Sequence, residues 1–163
     1  MPGTPHHALG GPGPTIAVAT VTASVCVVGL LVGLRSGLDR RRLAAGGGVG
    51  YAAVLLALWA VVRVLFWRFA GVFSNPSTLI GVGLVVAIVA VVLGIQWAAA
   101  TVLFDTYQIW TAVAWLFATA WVTTYAHLQV GGESGGVFLL LIWATGIRPA
   151  LLCSIGILAG SEV

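Results

Sequence analysis

The fold is decided by residues 78–103, with the sequence TLIGVGLVVAIVAVVLGIQWAAATVL, in which no side chain is charged. The hydrocarbon core of a bilayer is about 30 Å thick, and a helix crosses it in about 20 apolar residues. A surface helix of a soluble domain keeps a polar face, which this run lacks. The stretch therefore predicts a transmembrane helix.

The composition of the whole chain agrees with this prediction. Of 163 residues, 60% are hydrophobic and 7% are charged, whereas an ordinary soluble domain carries about 25% charged residues. A water-soluble fold is therefore excluded. Lysine is absent from the chain, which also excludes chemistry that needs a lysine amine.

Four further apolar runs have bilayer-spanning length, so we predict an all-α, polytopic integral membrane protein with about five transmembrane helices. The predicted spans are residues 14–34, 50–72, 78–103, 106–128 and 136–158. Residues 1–13, rich in Pro and Gly, are expected to form a flexible N-terminal segment. Residues 14–163 are expected to form a single helical membrane domain.

Capping and turn signals between the runs support this division. Asn75 directly before Pro76 is typical of a helix start, and residues 105–108 (DTYQ) have the spacing of a capping box that opens the fourth helix. Residues 131–136 predict a flexible turn. The glycines at 46–48 predict a hinge ahead of the second span.

The predicted orientation follows from the loop between the first two spans. Arg35, Arg40, Arg41 and Arg42 flank Asp39 there, and loops rich in arginine are retained on the cytoplasmic side. We therefore expect the N-terminus outside and the C-terminus in the cytoplasm. The same pattern indicates membrane orientation rather than nucleic-acid binding.

Arg63 lies well inside the second span, where a charge costs roughly 2.5 to 3.5 kcal/mol on insertion scales. Trp59 and Trp67 lie four residues to either side, so all three share one helix face and a cation–π contact is predicted. One interpretation is an arginine that snorkels toward an aromatic belt. The other is an anion or lipid-headgroup site with Arg63 and Arg68 as its positive wall.

Arg148 lies near the middle of the fifth span, between Gly146 and Pro149. Because proline lacks a backbone donor, we expect the helix to bend or break here. Interrupted helices that carry a charge line solute paths in transporters, but a kinked helix with an internally satisfied arginine explains the pattern equally well. Gln96 and His127 are further candidates to line such a path.

Small residues predict where the first helix packs. Thr22, Cys26, Gly29 and Gly33 recur at spacings of three and four residues, which places them on one stripe that permits close helix approach. We expect this stripe to pack within the molecule rather than to form a dimer face.

The sequence predicts no enzyme and no cofactor or metal. A membrane haem of the b type needs two axial ligands, and His127 is the only histidine in a predicted span. Cys26 and Cys153 lie in apolar runs, where free cysteine behaves as a small hydrophobe. The motifs of serine hydrolases, zinc proteases and phosphate-binding loops are all missing.

Two functional hypotheses remain. The first is a structural or accessory multi-pass membrane protein, in a cell or virion membrane, that contacts lipid and either its own copies or other membrane subunits. The second is a small channel or transporter for an anionic or neutral solute, which uses the broken fifth helix around Arg148. The first is favoured, because so few polar residues lie in the spans that a pore would need several subunits.

Overall fold

The computed structural model describes residues 6–66 and 76–130, which are helical except for one short pair of strands. Three of the four helices have between 24 and 32 residues, and the fourth has 18. The helices are α1 (Pro12–Arg35), α2 (Arg40–Phe66), α3 (Pro76–Tyr107) and α4 (Trp110–His127), and the strands are β1 (His6–His7) and β2 (Gln129–Val130).

The first three helices are long and apolar enough to cross a membrane. The fourth helix has 18 residues, about 27 Å of helix, but its Trp, Thr, Tyr and His side chains lower its mean hydropathy. Three such helices are compatible with a membrane location. The predicted fifth span, 136–158, lies outside the described residues.

The helices pack mainly in two pairs, with α2 against α3 and α1 against α4. One hydrophobic cluster joins all four, with Leu30, Leu55, Leu93 and Leu116 fully buried inside it. The end of α1, the start of α2 and the end of α3 lie together, and we call this the arginine-rich end. The opposite end, where α2 and α4 finish, is called the far end.

A close crossing between α2 and α3 lies near the arginine-rich end. A methyl group at Gly47 would overlap the indole of Trp97, and one at Gly48 would come within 3.0 Å of the Gly94 carbonyl oxygen. The Trp97 indole also donates a hydrogen bond to the Leu43 carbonyl oxygen at 3.2 Å. The prediction of a hinge at residues 46–48 is therefore wrong, because all three glycines are helical and two of them, Gly47 and Gly48, allow close helix packing.

Two helix boundaries also differ from the predictions. The second helix begins at Arg40 rather than at residue 50, since a helix can continue past the apolar core into the interface. The third continues through Asp105 and ends at Tyr107, and the next residue, Gln108, has a φ of 57°. Asp105 is thus in the last turns of α3 and does not cap α4, whose N-cap is Ile109 without a side-chain hydrogen bond.

The N-terminal segment is joined to the end of α4. His6 and His7 pair antiparallel with Val130 and Gln129, and the Ala8 amide donates to the Leu128 carbonyl oxygen at 2.9 Å. Residues 6–8 therefore have defined backbone partners at the far end, although the segment's Pro and Gly content predicted a flexible tail.

Candidate functional site

The candidate site is at the far end of the bundle, around the buried side chain of Arg63. The arginine is 3% exposed, and its Nη2 donates a long hydrogen bond, 3.4 Å, to the backbone carbonyl oxygen of Gln129. It also takes part in at least one further interaction. A guanidinium so deeply buried needs several acceptors, because its desolvation is costly.

Apolar side chains close the bundle next to Arg63. Ala8, Val62 and Leu128 form a small buried cluster, and Val18 and Leu58 pack against it. The N-terminal segment thus contributes one wall of this environment through Ala8. Exclusion of water from the cluster strengthens the electrostatic interactions that Arg63 makes.

His127 is the second buried polar residue of the far end. It is 4% exposed at the last turn of α4 and has an interaction partner. Thr124, one turn earlier and fully buried, has a hydroxyl without a hydrogen-bond partner among the described residues. The last turn of α4 therefore contains a buried hydroxyl, that of Thr124, which no described residue uses as a hydrogen-bond partner.

Aromatic rings enclose the same end of α4. Trp121 stacks on Tyr125 with ring centroids 5.2 Å apart, and the His7 ring meets Tyr125 edge-on at 5.9 Å. The Trp121 indole donates to the Thr20 hydroxyl of α1 at 3.0 Å. These contacts fix the position of the turn that carries His127.

Most other buried hydroxyls are already satisfied by their own helices. Thr119 donates to the Trp115 carbonyl oxygen at 2.7 Å, Thr123 to that of Thr119 at 2.6 Å, and Thr101 to that of Trp97 at 2.9 Å. Such bonds to the preceding turn let threonine be buried at little cost. These threonines therefore need no solute to explain them.

Gln96, a predicted path-lining residue, is buried but lies elsewhere. It precedes Trp97, which contacts Gly47 near the arginine-rich end. Arg63 is 16 residues further along α2 than Gly47, about 24 Å along the helix axis. The structure therefore places Arg63 and His127 at one end and Gln96 nearer the other.

The four residues of the predicted packing stripe differ in their surroundings. Gly33 is buried, and a Cβ there would meet the Leu43 side chain of α2 at 2.5 Å. Gly29 is exposed, with the Trp97 ring 4.0 Å from its Cβ position. Thr22 and Cys26 line an open groove of about 390 Å³ between α1 and α2.

Acidic and basic side chains at the arginine-rich end are exposed. Arg40 donates to the Thr106 hydroxyl at 2.7 Å and lies 3.9 Å from the Asp105 carboxylate, with the two charged side chains 48% and 41% exposed. The Asp39 carboxylate accepts a long hydrogen bond, 3.5 Å, from the Arg41 backbone N–H. Both acids of this end are thus engaged.

Three of the predicted site residues, Trp67, Arg68 and Arg148, lie outside the described residues. Trp59 and Arg63 are both buried on the interior side of α2, and the contact between them stays a prediction. Within residues 6–66 and 76–130, no cluster of three His, Cys, Asp or Glu side chains is arranged to hold a metal ion.

Neither the role of Trp97 nor the pairing of residues 6–8 with 128–130 was predicted from the sequence. The available signal for the role of Trp97 was the presence of glycines on both helices, Gly47 and Gly48 on α2 and Gly94 on α3. No family model, no characterised protein and no solved structure matches this chain.

Proposed function

We propose that this chain is a structural or accessory multi-pass membrane protein that packs within a larger membrane assembly, as a homo-oligomer or with other membrane subunits. The observation that supports this is the surface of α3. All of its buried residues lie between Val89 and Phe104, whereas the half before Val89 carries exposed Leu79, Ile80, Leu84 and Ile88. One side of this half therefore remains available to lipid or to a partner, while Val82, Val85 and Val86 pack against the hydrophobic cluster.

Small residues on this half of α3 favour a helix partner. Gly83 and Ala87 are exposed four residues apart, and a Cβ at Gly83 would meet nothing within 4 Å. Exposed small residues at this spacing allow two transmembrane helices to approach closely. The helix is also about 48 Å long for its 32 residues, so it extends beyond or tilts across the bilayer.

The test is a substitution that fills this face. Gly83→Leu should leave the fold unchanged, because nothing occupies the space, but it should reduce the mass of the assembly extracted in mild detergent. Gly46→Leu is the matched control, since its Cβ also meets nothing within 4 Å but it lies on α2. Native mass spectrometry of both variants measures the effect. An assembly of unchanged mass in Gly83→Leu contradicts the proposal.

The proposal includes five spans, with the N-terminus outside and the arginine-rich end cytoplasmic. Support comes from Arg35, Arg40, Arg41 and Arg42 at one end of the described helices. In a variant that lacks native cysteine, single cysteines at Ser36 and Ser74 should be labelled from opposite sides of sealed vesicles. Labelling from the same side contradicts the topology.

The second candidate function, a channel or transporter for an anionic or neutral solute, is favoured by one observation. Arg63 and His127 are buried at the far end together with the Thr124 hydroxyl, which has no hydrogen-bond partner in the described part of the chain. If a solute uses these groups or Arg148, then Arg63→Gln and Arg148→Gln should each abolish flux into liposomes while the protein stays folded. Flux that is absent from the wild type, or equal in all variants, contradicts this candidate.

A further inference from the structure

A second surface of the bundle is a long groove between α2 and α3, which begins on α3 at Ala90, next to the exposed half of that helix. It has a volume of about 840 Å³ and opens to the outside of the bundle. Its lining is apolar and small, with Ala45, Ala53, Ala90 and Gly94 among the contributing residues. The Gly48–Gly94 approach forms its floor, because the two backbones nearly touch there.

One charged side chain lines this groove. Arg41 stands at its arginine-rich end, and the lining on α2 continues from there to Leu56, a distance of about 22 Å. One leaflet of the hydrocarbon core is about 15 Å deep. The groove thus has the length of one leaflet plus a headgroup, with its positive charge at the membrane surface.

Arg41 also lacks an acidic partner among the described residues. Asp105 is close to Arg40, and Asp39 accepts a hydrogen bond from the backbone of α2. Arg41 therefore lines the groove without an ion pair to any acid in the described ranges. An anionic group at that position gains electrostatic energy, whereas a neutral one does not.

We propose that this groove binds one anionic phospholipid, with an acyl chain along the small residues of α2 and α3 and the phosphate at Arg41. Charge complementarity selects the lipid over a second copy of the chain. A parallel copy would bring its own Arg40, Arg41 and Arg42 to the same membrane level, and the two acids of its described part are already engaged. Like charges would then repel where a lipid phosphate is attracted.

Native mass spectrometry of the full-length protein, titrated with phosphatidylglycerol or with phosphatidylcholine of the same acyl chains, tests the headgroup. The wild type should prefer phosphatidylglycerol, and Arg41→Gln should reduce that preference about five-fold, the effect of one arginine near a membrane surface. Arg42→Gln is the matched control, because Arg42 lies in the same turn but does not line the groove. If both variants lose the preference for phosphatidylglycerol equally, then the lipid is attracted to the basic residues in general rather than to the groove, and the proposal is overturned.

A second pair of variants tests the acyl chain. Ala53→Phe fills the groove from an exposed position and should weaken binding of both lipids, while Ala17→Phe, exposed on α1 outside the groove, should not. Melting curves show that each variant is folded. Unchanged lipid binding in Ala53→Phe overturns the proposal, and so does loss of a dimer in that variant without a change in lipid binding, which would make a second copy the occupant.

Discussion

The two ends of the described bundle use arginine in opposite ways. At the arginine-rich end, Arg40 is 48% exposed and meets Asp105 in solvent, while the interior below it is closed by Trp97 against Gly47. At the far end, Arg63 is inside, and apolar residues and a strand pair surround it. The charge is therefore exposed at one end and part of the interior at the other, so substitutions at the two ends should differ in their cost in folding free energy.

The largest effect is expected from the packing of the arginine-rich end. Gly47→Val places a branched side chain where the Trp97 indole lies, and such overpacking costs about 3 kcal/mol when neither helix can yield. Unfolding in mixed micelles of increasing denaturing detergent should show this loss. Gly46→Val, whose side chain meets open space, controls for the change in helix propensity. If both variants lose the same stability, the crossing is not the cause.

At the far end, Arg63→Ala should cost about 2 kcal/mol, because it opens a cavity and leaves the Gln129 carbonyl oxygen unpaired. Besides the loss of global stability, we expect the strand pair at the far end to open more often. Hydrogen exchange at the Ala8 amide, which is bonded to Leu128, should accelerate more than exchange in the middle of α3. Protection that stays unchanged at Ala8 would show that Arg63 does not support the strand pair.

A smaller loss is expected from Trp97→Phe, which keeps an aromatic ring against Gly47 but removes the hydrogen bond to Leu43. One neutral hydrogen bond contributes about 1 kcal/mol. The same detergent titration measures it, with Trp110→Phe as control, since the Trp110 side chain is exposed. If Trp97→Phe loses as much stability as Gly47→Val, then the fit of the indole against Gly47, rather than its hydrogen bond to Leu43, determines the stability of the crossing.

The smallest effect should come from the exposed pair. Arg40→Ala removes the contact with Asp105, and exposed ion pairs contribute about 0.5 kcal/mol, which salt reduces further. Stability measured at low and at high salt should differ little between this variant and the wild type. A loss close to that of Arg63→Ala would erase the contrast between the two ends.

Hydropathy was sufficient to predict that helices occupy the four described apolar runs, because burial in lipid demands continuous apolar sequence. It could not place the ends of those helices. Arg40 begins α2 inside the stretch assigned to a polar loop, and Asp105 lies within α3 although its neighbours have the spacing of a cap. The capping motif failed there because α3 continues past Asp105 to Tyr107, and the chain turns only at Gln108, which has a φ of 57°.

The candidate site was predicted in part. Arg63 and His127 stand out as polar residues in apolar runs, and both are buried. Their environment was not predictable, since Ala8 and Leu128 are ordinary residues far apart in the chain. Pairing between such segments depends on the assembled bundle and leaves no periodic pattern in either of them.

The strand pair between residues 6–7 and 129–130 joins two segments that are synthesised at very different times. Ala8 finds its backbone partner only when Leu128 has left the ribosome, 120 residues later, which takes on the order of ten seconds at usual elongation rates. During that interval the amides of residues 6–8 and the α2 side of the far end have no partner from the strand β2. Completion of the fold thus waits for the last described turn, and a ribosome stalled before residue 128 should display an N-terminal segment that antibodies or proteases reach readily.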